Sequence, residues 1–131
     1  MKKYNLGALS VKDQEIQDTK EEIIVDLIDR MQKYVADGKR VFSDSKLSKE
    51  EKLKALNFYC ERFCGLSEFL NVTMRVEVRS ESGGMYTQEM YNYFHYWIQV
   101  TEIEISRERK CAEWKDMRCM TATKQRLNRA N

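Results

Sequence analysis

Proline is absent from all 131 residues, and glycine occurs only five times, at positions 7, 38, 65, 83 and 84. Proline removes a backbone donor and clashes with the preceding helical turn, and glycine weakens helix interiors through backbone entropy. A chain so poor in both favours long elements, helices above all. Also missing is any apolar run near the ~20 residues needed to cross a bilayer. The start of the chain carries Lys2 and Lys3 with no apolar stretch behind them, so it does not read as a secretory signal. The expected location is the cytoplasm, that of the host cell if the chain is phage-encoded, with no membrane partner.

Histidine occurs once, as His95, so any Cys–His or Ser–His catalytic pair would have to use it. No nucleophile elbow or cysteine-enzyme signature accompanies it. Ser82-Gly83-Gly84 is too short for a phosphate-cradling loop, and no lysine follows it. The four cysteines offer little more. Cys60 and Cys64 would share one face of a helix, whereas Cys111 and Cys119 are eight apart, a spacing foreign to common zinc sites. In a cytoplasmic chain they read as reduced thiols packed like small apolar residues. The chain is therefore expected to be no enzyme and to hold no cofactor and no metal.

What is present is a globular balance, with 42% hydrophobic and 34% charged residues. The length suits a single domain over 1–131. The net charge of +2 is unevenly placed: residues 11–37 hold eight acids against four bases, and residues 107–131 hold eight bases against three acids. Such an asymmetry can steer an acidic partner to the basic end. Equally, the two segments can neutralise each other, within one chain or across an oligomer.

Along the chain, Ser10 to Asp13 resembles a capping box, and Ile16, Ile23, Ile24, Leu27, Ile28, Met31 and Val35 then recur at helical spacing, with Asp37-Gly38 as the stop. Ser48 to Glu51 opens a second helix carrying Leu53, Leu56, Tyr59, Cys60, Phe63, Leu66 and Leu70. Phe58 and Phe69 lie off that stripe, which predicts cover on more than one side. Gly65 marks a close crossing or the end of a shorter helix. From Val72 to Arg79 the period changes: Met74, Val76 and Val78 alternate with Arg75, Glu77 and Arg79, the pattern of a strand with one wet face. Residues 90–105 are rich in strand formers and would supply its mate, with Tyr96, Ile98 and Val100 alternating with Trp97, Gln99 and Thr101. A competing helical face runs through Met90, Phe94, Trp97, Thr101 and Ile105. From Ser106 a thin stripe of Cys111, Trp114, Met117, Met120 and Leu127 predicts a helix packed on one side. The expected fold is α+β and helix-rich, two N-terminal helices packed on a small antiparallel hairpin with a basic C-terminal helix. The alternative is mainly α with one long C-terminal helix.

The functional signal lies after the double glycine. Between Tyr86 and Trp97 stand six of the fourteen aromatic residues, with His95 among them. Rings anchor interfaces because they bring large apolar area with few rotamers to freeze. Tyr86, Tyr91, Tyr93, His95 and Trp97 are therefore the aromatic candidates for partner binding. Arg107, Arg109, Lys110, Lys115, Arg118, Lys124 and Arg126 are the basic ones. Short, proline-free chains rich in lysine and glutamate are common among phage and mobile-element accessory proteins. The expectation is a small interaction protein that binds a protein or ribonucleoprotein, for example an anti-CRISPR-like inhibitor of host defence. A nucleic-acid-binding regulator would use the same cations on phosphates and the same rings on unpaired bases. An oligomeric sponge for signalling nucleotides is the third reading, and a homo-oligomer would satisfy the rings without a foreign partner.

Overall fold

The computed structural model describes the backbone from Val11 to Ala130 and the side chains of residues 17–117. Three helices run up, down and up: α1 (Val11–Ser43), α2 (Lys49–Glu68) and α3 (Tyr86–Ala130). Among the described residues the only β pairing is one isolated bridge between Arg79 and Met85. The α+β fold and its hairpin are thus overturned, and the chain is all-α with one long C-terminal helix.

The correction centres on residues 90–105. Phe94, Trp97, Thr101 and Ile105 are buried on one side of α3, at spacings of three and four residues. Burying that stripe against α1 and α2 outweighs the strand preference of the individual residues, which reflects fit to a half-buried surface more than backbone bias. The hydroxyl of buried Thr101 donates to the Trp97 carbonyl at 2.7 Å, one turn back, so even this β-branched polar residue is satisfied within the helix.

The segment expected as the first strand is a strap. After α2 the chain makes one wide π turn over Phe69–Thr73, and the Met74 amide donates to the Phe69 carbonyl at 2.9 Å. Arg75 then takes a left-handed conformation, φ 57°, and the Val76 amide donates to the Leu70 carbonyl at 3.0 Å. Met74, Val76 and Val78 face the core while Arg75, Glu77 and Arg79 face water. The alternation therefore holds, but the inward side is closed by helices and not by a second strand. The Val78 carbonyl accepts the Tyr86 amide at 2.9 Å, tying the strap to the start of α3.

Neither Gly38 nor Gly65 plays the part expected of it. Helix α1 continues through Gly38, where a Cβ would meet Phe94 Cε1 at 2.7 Å and Trp97 Cζ3 at 3.0 Å. Gly38 is the point of close approach of α1 and α3. Gly65, in contrast, lies within an unbroken α2, and a methyl added there would have nothing within 4 Å. The Ser48 cap is as expected, its hydroxyl accepting the Glu51 amide at 3.1 Å. The capping box at Ser10 lies outside the described residues. Phe58 and Phe69, expected to be covered, are exposed.

The core runs from Ile24, Leu27, Ile28 and Met31 of α1 through Leu56, Phe63 and Leu70 to Phe94 and Trp97 of α3. Lys52 is buried with it, and its ammonium donates to the Phe42 carbonyl at 3.2 Å, supplying positive charge to the end of α1.

Candidate functional site: the outward face of the third helix

Helix α3 has 45 residues, about 67 Å at 1.5 Å per residue. Its first half, to Ile105, packs on the bundle, and Lys49 at the start of α2 pairs with Glu104. Beyond Ile105 every residue from Ser106 to Met117 is exposed. The helix thus projects past the α1–α2 turn instead of packing one stripe on the bundle, as Cys111, Trp114 and Met117 were expected to do. Met120 and Leu127 lie outside the described side chains.

The sequence-nominated rings separate on this scaffold. Trp97 is 7% exposed and belongs to the core, in edge contact with Phe94 at 5.4 Å between centroids. Tyr86 is half-buried at the start of the helix. Tyr91 and His95 are exposed one turn apart, centroids at 6.1 Å. Tyr93 is 53% exposed and stacks on Trp97 at 6.0 Å. Trp97 in turn stacks on Phe42 of α1 at 6.2 Å, and Phe42 lies 6.1 Å from Tyr96. The core tryptophan therefore acts as the floor of an outward aromatic patch formed by Tyr93, Tyr96 and Phe42. A buried floor holds the exposed rings in place, so less freedom is lost when a partner covers them.

Arg107, Arg109, Lys110 and Lys115 are all exposed on the projecting half. They do not form an unbroken positive surface, because Glu108, Glu113 and Asp116 stand among them. Arg118, Lys124 and Arg126 lie on the same helix, outside the described side chains.

A second pattern emerges on the face of α3 turned away from the core. Tyr93, Tyr96, Val100, Ile103, Arg107, Lys110, Trp114 and Met117 follow one another at alternating steps of three and four residues. That is a heptad seam, with Tyr93, Val100, Arg107 and Trp114 at a positions and the others at d. Tyr96 and Ile103 lie about 180–200° round the helix from Phe94, at ~100° per residue. Exposure follows the pattern: Tyr96 58%, Ile103 51%, Trp114 62% and Met117 62%. The heptad is present in the sequence but is hidden there by the core stripe, which occupies the first half of the same helix at a similar period. Tyr96 and Ile103 were missed as binding residues for that reason, whereas Trp114 and Met117 were assigned to a stripe packed on one side.

The titratable groups add little chemistry. Cys60 and Cys64 are half-buried on one face of α2, and burial, followed by the neighbouring Cys64, pushes the Cys60 thiol up to about 12. Ser82 donates to Glu89 at 2.6 Å across the turn before α3, and hydrogen bonds from Ser82 and then Ser80 hold that carboxyl below its ordinary range. Among the described residues no group of three or more His, Cys, Asp or Glu side chains could hold a metal ion. No helix there is long and apolar enough to cross a membrane. Compared with known proteins, the chain matches no family model, no curated protein and no solved structure.

Proposed function

We propose that this chain is a non-enzymatic interaction protein whose partner is another protein, and that it docks through the outward face of α3. The observation that carries the reading is the continuity of the exposed heptad seam, from Tyr93 and Tyr96 on the bundle to Trp114 and Met117 on the projecting half. A projecting helix with an apolar seam is the form used by helical recognition segments, which present anchors one turn apart to a groove or to another helix. Aromatic and methionine side chains at its two ends suit the centre of an interface.

The charge pattern favours protein over nucleic acid. Phosphate binding needs an excess of cations along the track of the backbone. From 107 to 117 four cations are interleaved with three carboxylates, which leaves a weak local field. The cations further along α3 steer an acidic surface towards the seam. Inhibition of a host defence assembly, the anti-CRISPR-like role, is the form this function would take if the chain belongs to the phage and mobile-element accessory proteins.

The test is capture from host lysate by immobilised wild-type protein, a Tyr96→Ala/Trp114→Ala variant and a Tyr91→Ala control. Wild type and control retain a common protein partner and the double variant loses it, with its helical circular dichroism and cooperative melt unchanged. Undiminished capture by the double variant, or steeply salt-dependent retention of labelled RNA or single-stranded DNA, would refute the reading.

A further inference from the structure

Resting on the reading of α3's outward face as an interface, we infer that its partner is a helix of a different protein, whose facing side is apolar at both ends and acidic in the middle. The period selects a helix. From Tyr93 to Met117 the seam advances by alternating steps of three and four residues over ~36 Å. A facing helix matches that spacing along its whole length, whereas a strand, with side chains alternating at every second residue, drifts out of step.

The charge selects the acidic middle. Arg107 and Lys110 are the only charged side chains in the seam, with Tyr96 and Ile103 before them and Trp114 and Met117 after. Both are exposed, they stand one turn apart and repel each other, and neither is ion-paired among the described residues. The carboxylate within reach of Arg107, Glu104, is already bound to Lys49. Glu104 and Glu113 each stand about 90° round the helix from the middle of the seam, at ~100° per residue, so neither lies on the face itself. A partner that covers this face takes water away from both cations. Covered without an anion, they are left desolvated and unpaired, which opposes binding. Faced by two carboxylates, they fix the register and reject partners that lack them. The rings and the methionine on either side require apolar side chains opposite.

Among the described residues the chain itself carries no such face. A second α3 laid parallel brings Arg107 and Lys110 against themselves, and one laid antiparallel about Ile105 puts the two Arg107 side chains within about one turn of each other. The outward side of α2 sets Arg62 and Gly65 between Phe58 and Phe69, with the Arg62 guanidinium 5.1 Å from the centre of the Phe58 ring. The outward side of α1 is acidic at Asp18, Glu22, Asp26 and Asp29. The one large apolar side chain exposed on that helix, Ile23, lies about 100° round from them, so the apolar ends are missing. The complement to the seam is therefore foreign.

The experiment is fluorescence anisotropy of two labelled synthetic helical peptides of about 28 residues, four heptads, titrated with the full-length protein. The peptides are identical, with leucine at the seam positions, except that the two central ones are glutamate in one peptide and lysine in the other. The glutamate-centred peptide binds at least tenfold more tightly. Tyr96→Ala/Trp114→Ala weakens that binding at least tenfold while keeping its helical signal, and Arg107→Glu/Lys110→Glu reverses the preference between the peptides. Equal affinity for both peptides, or a preference unchanged by the charge-reversed variant, would overturn the acidic centre; loss of both in Tyr96→Ala/Trp114→Ala would still uphold the interface reading. Binding of neither peptide up to 100 µM would overturn a helical partner, and the lysate capture then decides the interface reading by itself. A wild type that sediments as a dimer, lost in Tyr96→Ala/Trp114→Ala, would give the face to a second copy and overturn the foreign partner.

Discussion

Replacing Gly38 with alanine is the sharpest test of how α1 meets α3. The added methyl would lie 2.7 Å from Phe94 Cε1, 3.0 Å from Trp97 Cζ3 and 3.4 Å from Phe94 Cδ1. Neither ring can swing aside, because Phe94 is fully buried and Trp97 is clamped between Phe42 and Tyr93. Overpacking of this kind costs about 1–3 kcal/mol. Against it stands the helix-propensity gain of alanine over glycine, up to about 1 kcal/mol. Gly65→Ala isolates that gain, since Gly65 is also helical but has nothing within 4 Å of the new methyl. The propensity gain is common to both, so the difference between the two variants reads the crossing alone. In urea titrations followed at 222 nm, Gly65→Ala raises the midpoint and Gly38→Ala lowers it, separated by about 1–3 kcal/mol at unchanged slope. Equal stabilisation by both substitutions would refute the close approach of α1 to α3 and with it the floor of the aromatic patch.

Thiol chemistry, pH and amide exchange supply three more tests. Cys60, its thiol pushed up to about 12, reacts with a thiol-directed disulfide reagent at pH 8 at least a hundredfold more slowly than exposed Cys111, measured by peptide mass spectrometry after timed quenching. The hydrogen bond to Glu104 raises Lys49, and the same bond holds the Glu104 carboxyl below its ordinary value. The carboxylate's share of stability is thus full above the ordinary carboxylate range and disappears as pH falls through the depressed value. The lysine's share is lost only as pH rises through its raised value. Lys49→Met therefore lowers the urea midpoint near neutrality, and its difference from wild type vanishes at acid pH. Finally, amides of residues 106–117 exchange with deuterium faster than those of 94–105, because a helical segment exposed on every side opens locally at little cost.

How much of this was legible in the sequence depends on how many demands each residue serves. In α2 there is one: the cap at Ser48 opens the helix, and its stripe through Leu56 and Phe63, continued by Leu70 in the π turn, serves the core alone. The strap at 74–79 was half legible. Its inward and outward sides follow from alternation, but what covers the inward side is a tertiary fact that period-2 patterning cannot supply. Gly38 and Gly65 show the same limit, since a glycine that ends a helix and one that admits a neighbouring ring are identical as letters. Only the identity of the neighbour separates them, and Phe94 lies far along the chain.

Helix α3 was misread because it answers two demands at once. Its core stripe and its outward seam run along opposite sides of the same turns and merge along one flank, so in residues 91–105 the polar side chains Asn92, His95, Gln99 and Glu102 are confined to the other flank. A window apolar over so wide an arc has a weak 3.6-residue signature, and the remaining local signal is the β-branched and aromatic content, which favours a strand. The seam becomes visible only after Ile105, where the core stripe ends and Trp114 and Met117 continue the outward heptad alone. A helix serving only the bundle would carry polar or charged residues at 96, 103, 114 and 117. Keeping apolar side chains there exposes large hydrophobic surface, a cost in solubility that folding alone does not explain. The three rings and the methionine at the ends of that seam are the anchors of the docking face proposed above.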